Sequence, residues 1–142
     1  MRMQAYIRVC SDESVVRAIH RETNLPGATI KQRKAEAQSA DGNCWNWQTE
    51  RVPINIDEID GDLQSLLSAH RQIFPMINKH RDSELDVYLE IITKYEDGED
   101  PHGLFLSDKT IALLAELGGA VDHDVEAYGL LLRKRCMEPP SK

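Results

Sequence analysis

A histidine between two aspartates, Asp122–His123–Asp124, has the most obvious chemical potential in this sequence. An imidazole beside carboxylates can bind a metal ion or transfer protons. The surrounding residues, however, alternate between apolar and polar as in a β-strand. On a strand, His123 points to the opposite face from both aspartates, so the three side chains do not converge. We therefore expect a partly buried, hydrogen-bonded histidine rather than a catalytic or metal site.

Other patterns typical of enzymes are missing from the sequence. The five histidines form no HxxxH or HExxH pair, no serine lies in a nucleophile elbow, and there is no glycine-rich phosphate loop. Cys10, Cys44 and Cys136 form no CxxC pair, and we expect them to be reduced and structural. The sequence thus predicts no cofactor and no metal, and it favours a protein that is not an enzyme.

The composition indicates one globular domain. The chain has 142 residues, of which 41% are hydrophobic, enough for one core. No apolar run approaches the roughly 20 residues of a membrane span, and the first residues lack the pattern of a secretory signal. We expect a cytoplasmic protein with an α+β domain over residues 1–132 and a basic, proline-containing tail over 133–142.

Negative charge is concentrated in the second half of the chain. Residues 57–132 carry 17 acidic and 5 basic side chains, whereas residues 1–56 carry 6 and 8. Such a distribution repels phosphate backbones and favours basic partners. It predicts a basic protein partner, with no direct binding to nucleic acid, although acidic surfaces also serve solubility alone.

Hydrophobic periodicity predicts the elements that must position these charges. Strand patterns occupy residues 4–9, 44–50, 84–96, 104–106 and 120–128, with a further ambiguous strand at 28–34. Three segments have helical patterns. The first begins at Ser11 and the third at Ser107, and we expect both serines to be N-caps. The second covers residues 56–82, and we expect an interruption around Phe74, before Pro75. The similar segments "VCSDESVVRAI" and "FLSDKTIALLA" raise the possibility of a β-α-β pseudo-repeat.

The two tryptophans, Trp45 and Trp47, share one face of a predicted strand. Two indoles on one face suit either a ligand platform or the core. Packing against the long helix is the preferred interpretation, because each indole can bury on the order of 150 to 250 Å².

The opposite face of the predicted sheet is the preferred binding surface. It combines carboxylates, which steer a basic partner, with tyrosines, which supply rigid contact area. An acidic turn after the third long strand could add further contacts, although it lacks the EF-hand pattern of a calcium site. The candidate partner-binding residues are Tyr6, Asp86, Tyr88, Glu90, Glu96, Asp97, Glu99, Asp100, Asp122, Asp124 and Glu126. An ordinary solvated face, or one covered by residues 28–41, is the alternative.

Five segments form an ordered pattern over about residues 4–128. They are the strand "YIRV", the Ser-Asp helix start, the Gly-x-x-Trp segment at Gly42 to Trp45, the strand "VYLEI" and the block "GLFLSDKTIALLAELGGAVDHDVEAY". This pattern resembles the bacterial proteins of domain of unknown function family 4279. The resemblance implies a small α+β domain, a two-layer sandwich with three helices on one face of an antiparallel or mixed sheet. It supplies no catalytic residues, since that family has no established activity.

The sequence therefore favours a non-enzymatic protein-binding protein. Its most concrete form is an immunity or antitoxin-like protein that neutralises a basic effector through its acidic surface. The alternative is a small-molecule-binding or enzymatic domain with a pocket between helices and sheet, near His123, His102 or Trp45. A third possibility is a structural domain that oligomerises through a sheet edge.

Overall fold

A computed structural model describes residues 1–34, 43–96, 98–99 and 103–127. This part of the chain forms one mixed sheet with helices on one side. The strands are β1 (Arg2–Ser11), β2 (Thr29–Lys34), β3 (Asn43–Gln48), β4 (Val52–Ile54), β5 (Asp86–Tyr95) and β6 (Ala120–Ala127). The helices are α1 (Glu13–Thr23), α2 (Ile59–Ala69), α3 (Phe74–Asn78) and α4 (Asp108–Leu117), with a short 3-10 turn at Arg71–Ile73.

The predicted α+β class and the two-layer arrangement with a mixed sheet are confirmed. The strand order is β2-β3-β1-β5-β6, with β4 also paired to β1, and among these described strands only β5 and β6 run parallel. Four helices occur in the described residues instead of the expected three, because the long helical pattern is divided. The ambiguous segment 28–34 contains edge strand β2, which extends the sheet. Residues 35–41, the rest of the segment named as an alternative cover for the face, lie outside the described residues.

The central strand β1 follows from strict alternation of its side chains. Ala5, Ile7 and Val9 are fully buried on the helix side, and the strand pairs with β5 from Arg2 to Cys10. Alternation of this kind fixes the register, because a slip of one residue would turn every apolar side chain to the other face.

Strands β3 and β4 pair with the same side of β1, one after the other. Thr49 lies in the break between β3 and β4 and is hydrogen-bonded to β1. Its N–H donates to Ile7 O, and Ile7 N–H donates to Thr49 Oγ1, each at a distance of 3.0 Å. Thr49 is 1% exposed, so both hydrogen bonds are shielded from water. Strand β4, whose three residues include Pro53, was not predicted from the sequence.

The helix caps correct the sequence analysis in one place and agree with it in another. Asp12, and not Ser11, caps α1, since its side chain accepts from Val15 N–H and Ser11 is the last residue of β1. Ser107 caps α4 as predicted and accepts from Thr110 N–H. The two Ser-Asp pairs are therefore used differently, which argues against the proposed pseudo-repeat.

The long helical pattern breaks earlier than predicted. Helix α2 ends at Ala69, and His70 turns the chain into the 3-10 segment; its Nδ1 lies 2.8 Å from Leu66 O. Pro75 sits at the start of α3, where its missing N–H is harmless. The proline thus begins a helix and does not kink one.

Residues 103–107 do not form a strand, so the predicted strand at 104–106 is wrong. Leu104 and Leu106 pack partly against the core, while Phe105 is 75% exposed. These residues lead into α4, which connects the parallel neighbours β5 and β6 in a β-α-β crossover.

The tryptophans lie on the helix side of β3, as predicted. Trp47 is fully buried, whereas Trp45 is half-buried, with the Arg17 guanidinium 5.4 Å from its ring centre. Helix α1 packs against β3, and Trp47 belongs to the same core cluster as Leu63 and Phe74 of the long helical segment. Core packing is therefore the role of Trp47 in particular.

Two of the cysteines correct the expectation of reduced thiols. Cys10 of β1 and Cys44 of β3 form a disulfide bond between neighbouring strands, with their Cα atoms 6.4 Å apart. Thirty-four residues separate them in sequence, so only the strand pairing shows their proximity. Cys136 lies outside the described residues.

None of the helices in the described residues is long and apolar enough to cross a membrane. The expected tail at 133–142 also falls outside the described residues.

Candidate functional site

The sheet face opposite the helices carries most of the candidate binding residues. Strand alternation places Tyr6 and Arg8 of β1 there, and the register aligns Glu90 of β5 with Asp122 of β6. We call this surface the open face. Its residues from β2 to β6 include Lys31, Arg33, Asn46, Gln48, Arg51, Tyr6, Arg8, Asp86, Tyr88, Glu90, Lys94, Asp122, Asp124 and Glu126.

Arg8 is the centre of a charged cluster on the open face. Its Nε donates a hydrogen bond of 3.1 Å to Glu90 Oε2, and its Nη2 donates one of 3.2 Å to Asp122 Oδ2. The guanidinium also lies 4.5 Å from the ring centre of Tyr88. Arg8 and Glu90 are 8% and 7% exposed, whereas the Asp122 side chain is 48% exposed. One cation therefore pairs with two carboxylates, of which one is buried.

Burial changes the protonation of two groups in this cluster. It raises the pKa of the Glu90 carboxyl; the attraction of Arg8 opposes this effect, and the negative charge of Asp122 adds to it. Burial also raises the pKa of the Tyr6 phenol, and Glu90 raises it further, against the nearby guanidinium of Arg51. Tyr6 is therefore a neutral hydrogen-bonding group at physiological pH.

A shallow depression of about 430 Å³ lies over the cluster. Lys31 and Arg33 of β2, with Arg51 before β4, line one side of it, and Asp122 and Asp124 line the other. The Arg51 guanidinium is 4.9 Å from the ring centre of Tyr6. The open face is thus divided between a cationic side and an acidic side.

The three cations of the depression were missed by sequence reasoning. The alternation of Thr29, Lys31 and Arg33 in segment 28–34 was a usable signal, because it places both cations on one face of a strand. Arg51 follows the break at Thr49, and no periodicity in the sequence could have assigned it to a face.

Two carboxylates on the acidic side are free to contact a partner. Asp86 and Asp124 are exposed and form no ion pair with any other described residue. Glu126 is half-exposed at its side chain and pairs with Lys94 over 3.2 Å. Because surface pairs of this type contribute little energy, a stronger partner could displace Lys94.

Glu96 and Glu99, the described acidic residues of the turn, follow the end of β5 and lie away from the cluster. Glu99 Oε1 lies 2.6 Å from the N-terminal ammonium of Met1, and Glu99 Oε2 accepts from Glu96 N–H over 3.2 Å. The carboxylate of Glu99 is therefore engaged within the protein. Asp97 and Asp100, also candidate residues, lie outside the described residues.

His123 lies on the helix side of β6, as predicted from alternation. Its Nε2 is 2.8 Å from the Oγ1 of Thr93, which is fully buried. The predicted partly buried, hydrogen-bonded histidine is confirmed. Within the described ranges, no group of three or more His, Cys, Asp or Glu side chains could hold a metal ion.

The layer between helices and sheet is occupied by core side chains. Trp47, Leu63 and Phe74, from β3, α2 and α3, are each 1% exposed or less. His102, one of the residues expected near an internal pocket, lies outside the described residues. The depression described above lies over the open face and not between helices and sheet, and His123 is among the residues that line it.

Comparisons with known proteins identify a family and assign no activity. The model of the family described as "Domain of unknown function (DUF4279)" matches residues 1–128, and the chain belongs to that family. No curated protein and no solved structure matches the chain. The open face must therefore be interpreted from its own chemistry.

Proposed function

We propose that this family member is a non-enzymatic binding protein whose partner is a basic protein. The observation that carries the proposal is the gathering of carboxylates on the open face of two adjacent strands, β5 and β6. Asp86 and Asp124 are exposed there without an ion pair to other described residues, and Asp122 is half-exposed. Carboxylates in this arrangement accelerate the approach of a cationic surface and select its orientation.

Tyr88 supports the same proposal from the middle of the acidic side. It is half-buried, and its ring is held by the guanidinium of Arg8. A tyrosine with a fixed ring gives contact area at little entropic cost, as found in the central residues of many interfaces. The acidic side therefore offers both charge and a rigid anchor.

The most concrete form of the proposal is an immunity or antitoxin-like protein that neutralises a basic effector. The supporting features are the small single domain, the excess of 17 acidic over 5 basic side chains in residues 57–132, and the placement of several of those acids on one face. Inhibition of an effector requires only that the acidic face cover the basic surface with which the effector acts.

A cytoplasmic location is part of this proposal. The Cys10–Cys44 disulfide weighs against it, because stable disulfides are rare in the cytoplasm. Thiol titration of protein purified from cells under alkylating conditions distinguishes the two locations. Free thiols at both positions are expected for a cytoplasmic protein, and a fully oxidised pair would contradict that location.

Affinity purification from native cells tests the proposal. The wild-type protein should capture a stoichiometric basic partner at low salt and release it at high salt, because exposed charges are screened. The Asp86→Lys/Asp124→Lys variant should lose this partner. The control, Asp57→Lys/Glu58→Lys, makes the same change in net charge at exposed residues beside α2 and should retain it. Repeated purifications without any stoichiometric partner would reject the proposal.

A second candidate function is a small-molecule-binding or enzymatic domain. The observation that favours it is the depression of about 430 Å³ with Tyr6, Arg8 and Glu90 buried beneath it, a volume within the range of small-ligand sites. A screen of small charged metabolites by thermal shift tests this candidate. A ligand that stabilises the wild type but not Arg51→Ala would support it, and no stabilisation by any compound would count against it.

A further inference from the structure

The charges of the open face are arranged as two opposite groups. Lys31 and Arg33 are exposed on β2, at one edge of the sheet. Asp124 and Glu126 are exposed on β6, at the other edge. Four strand spacings, or about 19 Å, separate these edges. The register also offsets the two groups along the strands, because Lys31 is level with Cys10 of β1 and Asp124 is level with Gln4. These positions on β1 are about 20 Å apart, so the two groups lie diagonally opposite each other. The face is therefore bipolar and not uniformly acidic.

A bipolar face is complementary to itself. A rotation of 180° about an axis in the plane of the face, perpendicular to the line between the two groups, exchanges their positions. Two copies related in this way place the cationic edge of each over the acidic edge of the other. The same contact then occurs twice, as in the isologous interfaces of two-fold symmetric dimers.

We propose that two copies of this chain associate through their open faces, with Lys31 and Arg33 of one copy opposite Asp124 and Glu126 of the other. The occupant of the face is a second copy, because only a partner with the same separation of opposite charges satisfies both edges at once. This association goes beyond the capture of a basic partner, which uses the acidic side alone. The two events use the same surface and exclude each other.

The size of the face sets the strength of this association. Tyr6, Arg8 and Glu90 at the centre of the face are already buried within each copy, so the contact rests on the exposed residues around them. Strands β1 and β5 each have 10 residues, or about 33 Å of length, so the whole sheet spans no more than about 600 Å². This is below the roughly 800 Å² per partner of a standard stable interface. Arg8 and Glu90 are already paired within each copy and add little. A weak dimer, micromolar or weaker, is expected.

Sedimentation equilibrium of the full chain over a range of concentrations measures the association. The net charge of -7 makes two copies repel each other, so ionic strength should be about 0.1 M, where the Debye length is about 10 Å. The wild type should form dimers under these conditions. It should be monomeric at about 1 M, where the Debye length is about 3 Å.

Charge reversal at each edge tests the proposed geometry. Lys31→Glu/Arg33→Glu makes both edges acidic, and Asp124→Lys/Glu126→Lys makes both edges basic, so each variant alone should be monomeric. An equimolar mixture should form a heterodimer, because every contact is then complementary. If a double variant fails to fold by circular dichroism, Lys31→Glu and Asp124→Lys replace the pairs.

The matched controls make the same changes in net charge at exposed residues of other elements. Arg21→Glu/Lys109→Glu, on α1 and α4, and Asp57→Lys/Glu58→Lys, beside α2, should dimerise within about threefold of the wild type, a difference of only about 0.6 kcal/mol.

A wild type that stays monomeric at every concentration would overturn the inference and leave the capture of a basic partner intact. So would a dimer that persists in both edge variants, as expected for pairing through a strand edge. Restoration of the dimer only in the mixture supports the face-to-face geometry, and it does not depend on whether a basic partner exists.

Discussion

Replacement of Arg8 by methionine should be the most destabilising single change on the open face. Methionine keeps much of the apolar stem of the side chain and removes the charge and its donors. In the protein, these donors satisfy Glu90, which is 7% exposed, and Asp122, whose side chain is 48% exposed. The variant leaves one buried and one half-exposed carboxylate without their cation.

The expected magnitude follows from the exposure of each partner. Removing one member of a buried ion pair destabilises a protein by about 3–5 kcal/mol, because the remaining charge is uncompensated. The contact with Asp122 adds no more than about 1 kcal/mol, the usual range for an exposed pair. We expect Arg8→Met to lower the free energy of unfolding by about 3–5 kcal/mol at neutral pH.

A double-mutant cycle with Glu90→Gln separates this reason from a simple loss of packing. In Arg8→Met/Glu90→Gln the buried site is neutral, so most of the lost stability should return. The matched cycle with Asp122→Asn should show a coupling of at most about 1 kcal/mol, because Asp122 is half-exposed.

Urea denaturation followed by circular dichroism at neutral pH measures each variant. The denaturant dependence should stay constant across the cycle, so that midpoints report stability directly. A loss below about 1 kcal/mol in Arg8→Met, or no recovery in the double variant, would refute the idea that the Arg8–Glu90 pair is an energetically coupled buried charge pair.

The remaining predictions concern the core, a titration and the disulfide. Trp47→Ala should lower the free energy of unfolding by about 3–5 kcal/mol because the indole is fully buried. Trp45→Ala should lower it clearly less in the same urea titration, because Trp45 is only half-buried. Equal losses of stability in the two variants would contradict this difference in burial. The raised pKa of Glu90 means that the folded state binds its proton more tightly than the unfolded state, so stability should decrease as pH rises from the ordinary carboxyl pKa to the raised value. Glu90→Gln should remove this contribution, and an identical pH profile in both proteins would contradict it. Reduction of the Cys10–Cys44 disulfide should destabilise the protein by up to about 4 kcal/mol, the chain-entropy value for a loop of 34 residues. Urea denaturation with and without reductant measures this loss. Unchanged midpoints would show that the bond does not constrain the chain.

Local periodicity was sufficient to predict the faces of the long strands. The alternation in β1, β5 and β6 separated Ile7 and Leu89 from Arg8 and Glu90 correctly, because successive side chains of a strand point to opposite faces. The same rule correctly placed His123 away from its flanking aspartates.

Features that depend on contacts distant in sequence were not predictable in this way. Strand β4 exists because Thr49 bridges back to Ile7, 42 residues away. The disulfide joins Cys10 and Cys44 only because β1 pairs with β3. Arg51 reaches the open face through the same break in the strand, so the division of the face into two charged sides was missed.

Local signals also failed where two were in competition. Ser11 and Asp12 are both good N-cap residues, and the length of β1 decides for Asp12 by keeping Ser11 in the strand. Pro75 indicated a break in the long helix, but the chain turns earlier, at His70, so that Pro75 can begin α3.

The affinity of a captured basic partner for surface variants tests the central proposal most directly. Titration calorimetry at about 0.1 M salt should give at least tenfold weaker binding for Asp86→Lys/Asp124→Lys than for the wild type, equivalent to about 1.4 kcal/mol. Asp57→Lys/Glu58→Lys, with the same net charge, should bind within about twofold of the wild type, because a change in total charge alone acts mainly on the rate of approach. Equal affinities for the wild type and the Asp86→Lys/Asp124→Lys variant would show that the acidic side of the open face is not the binding surface.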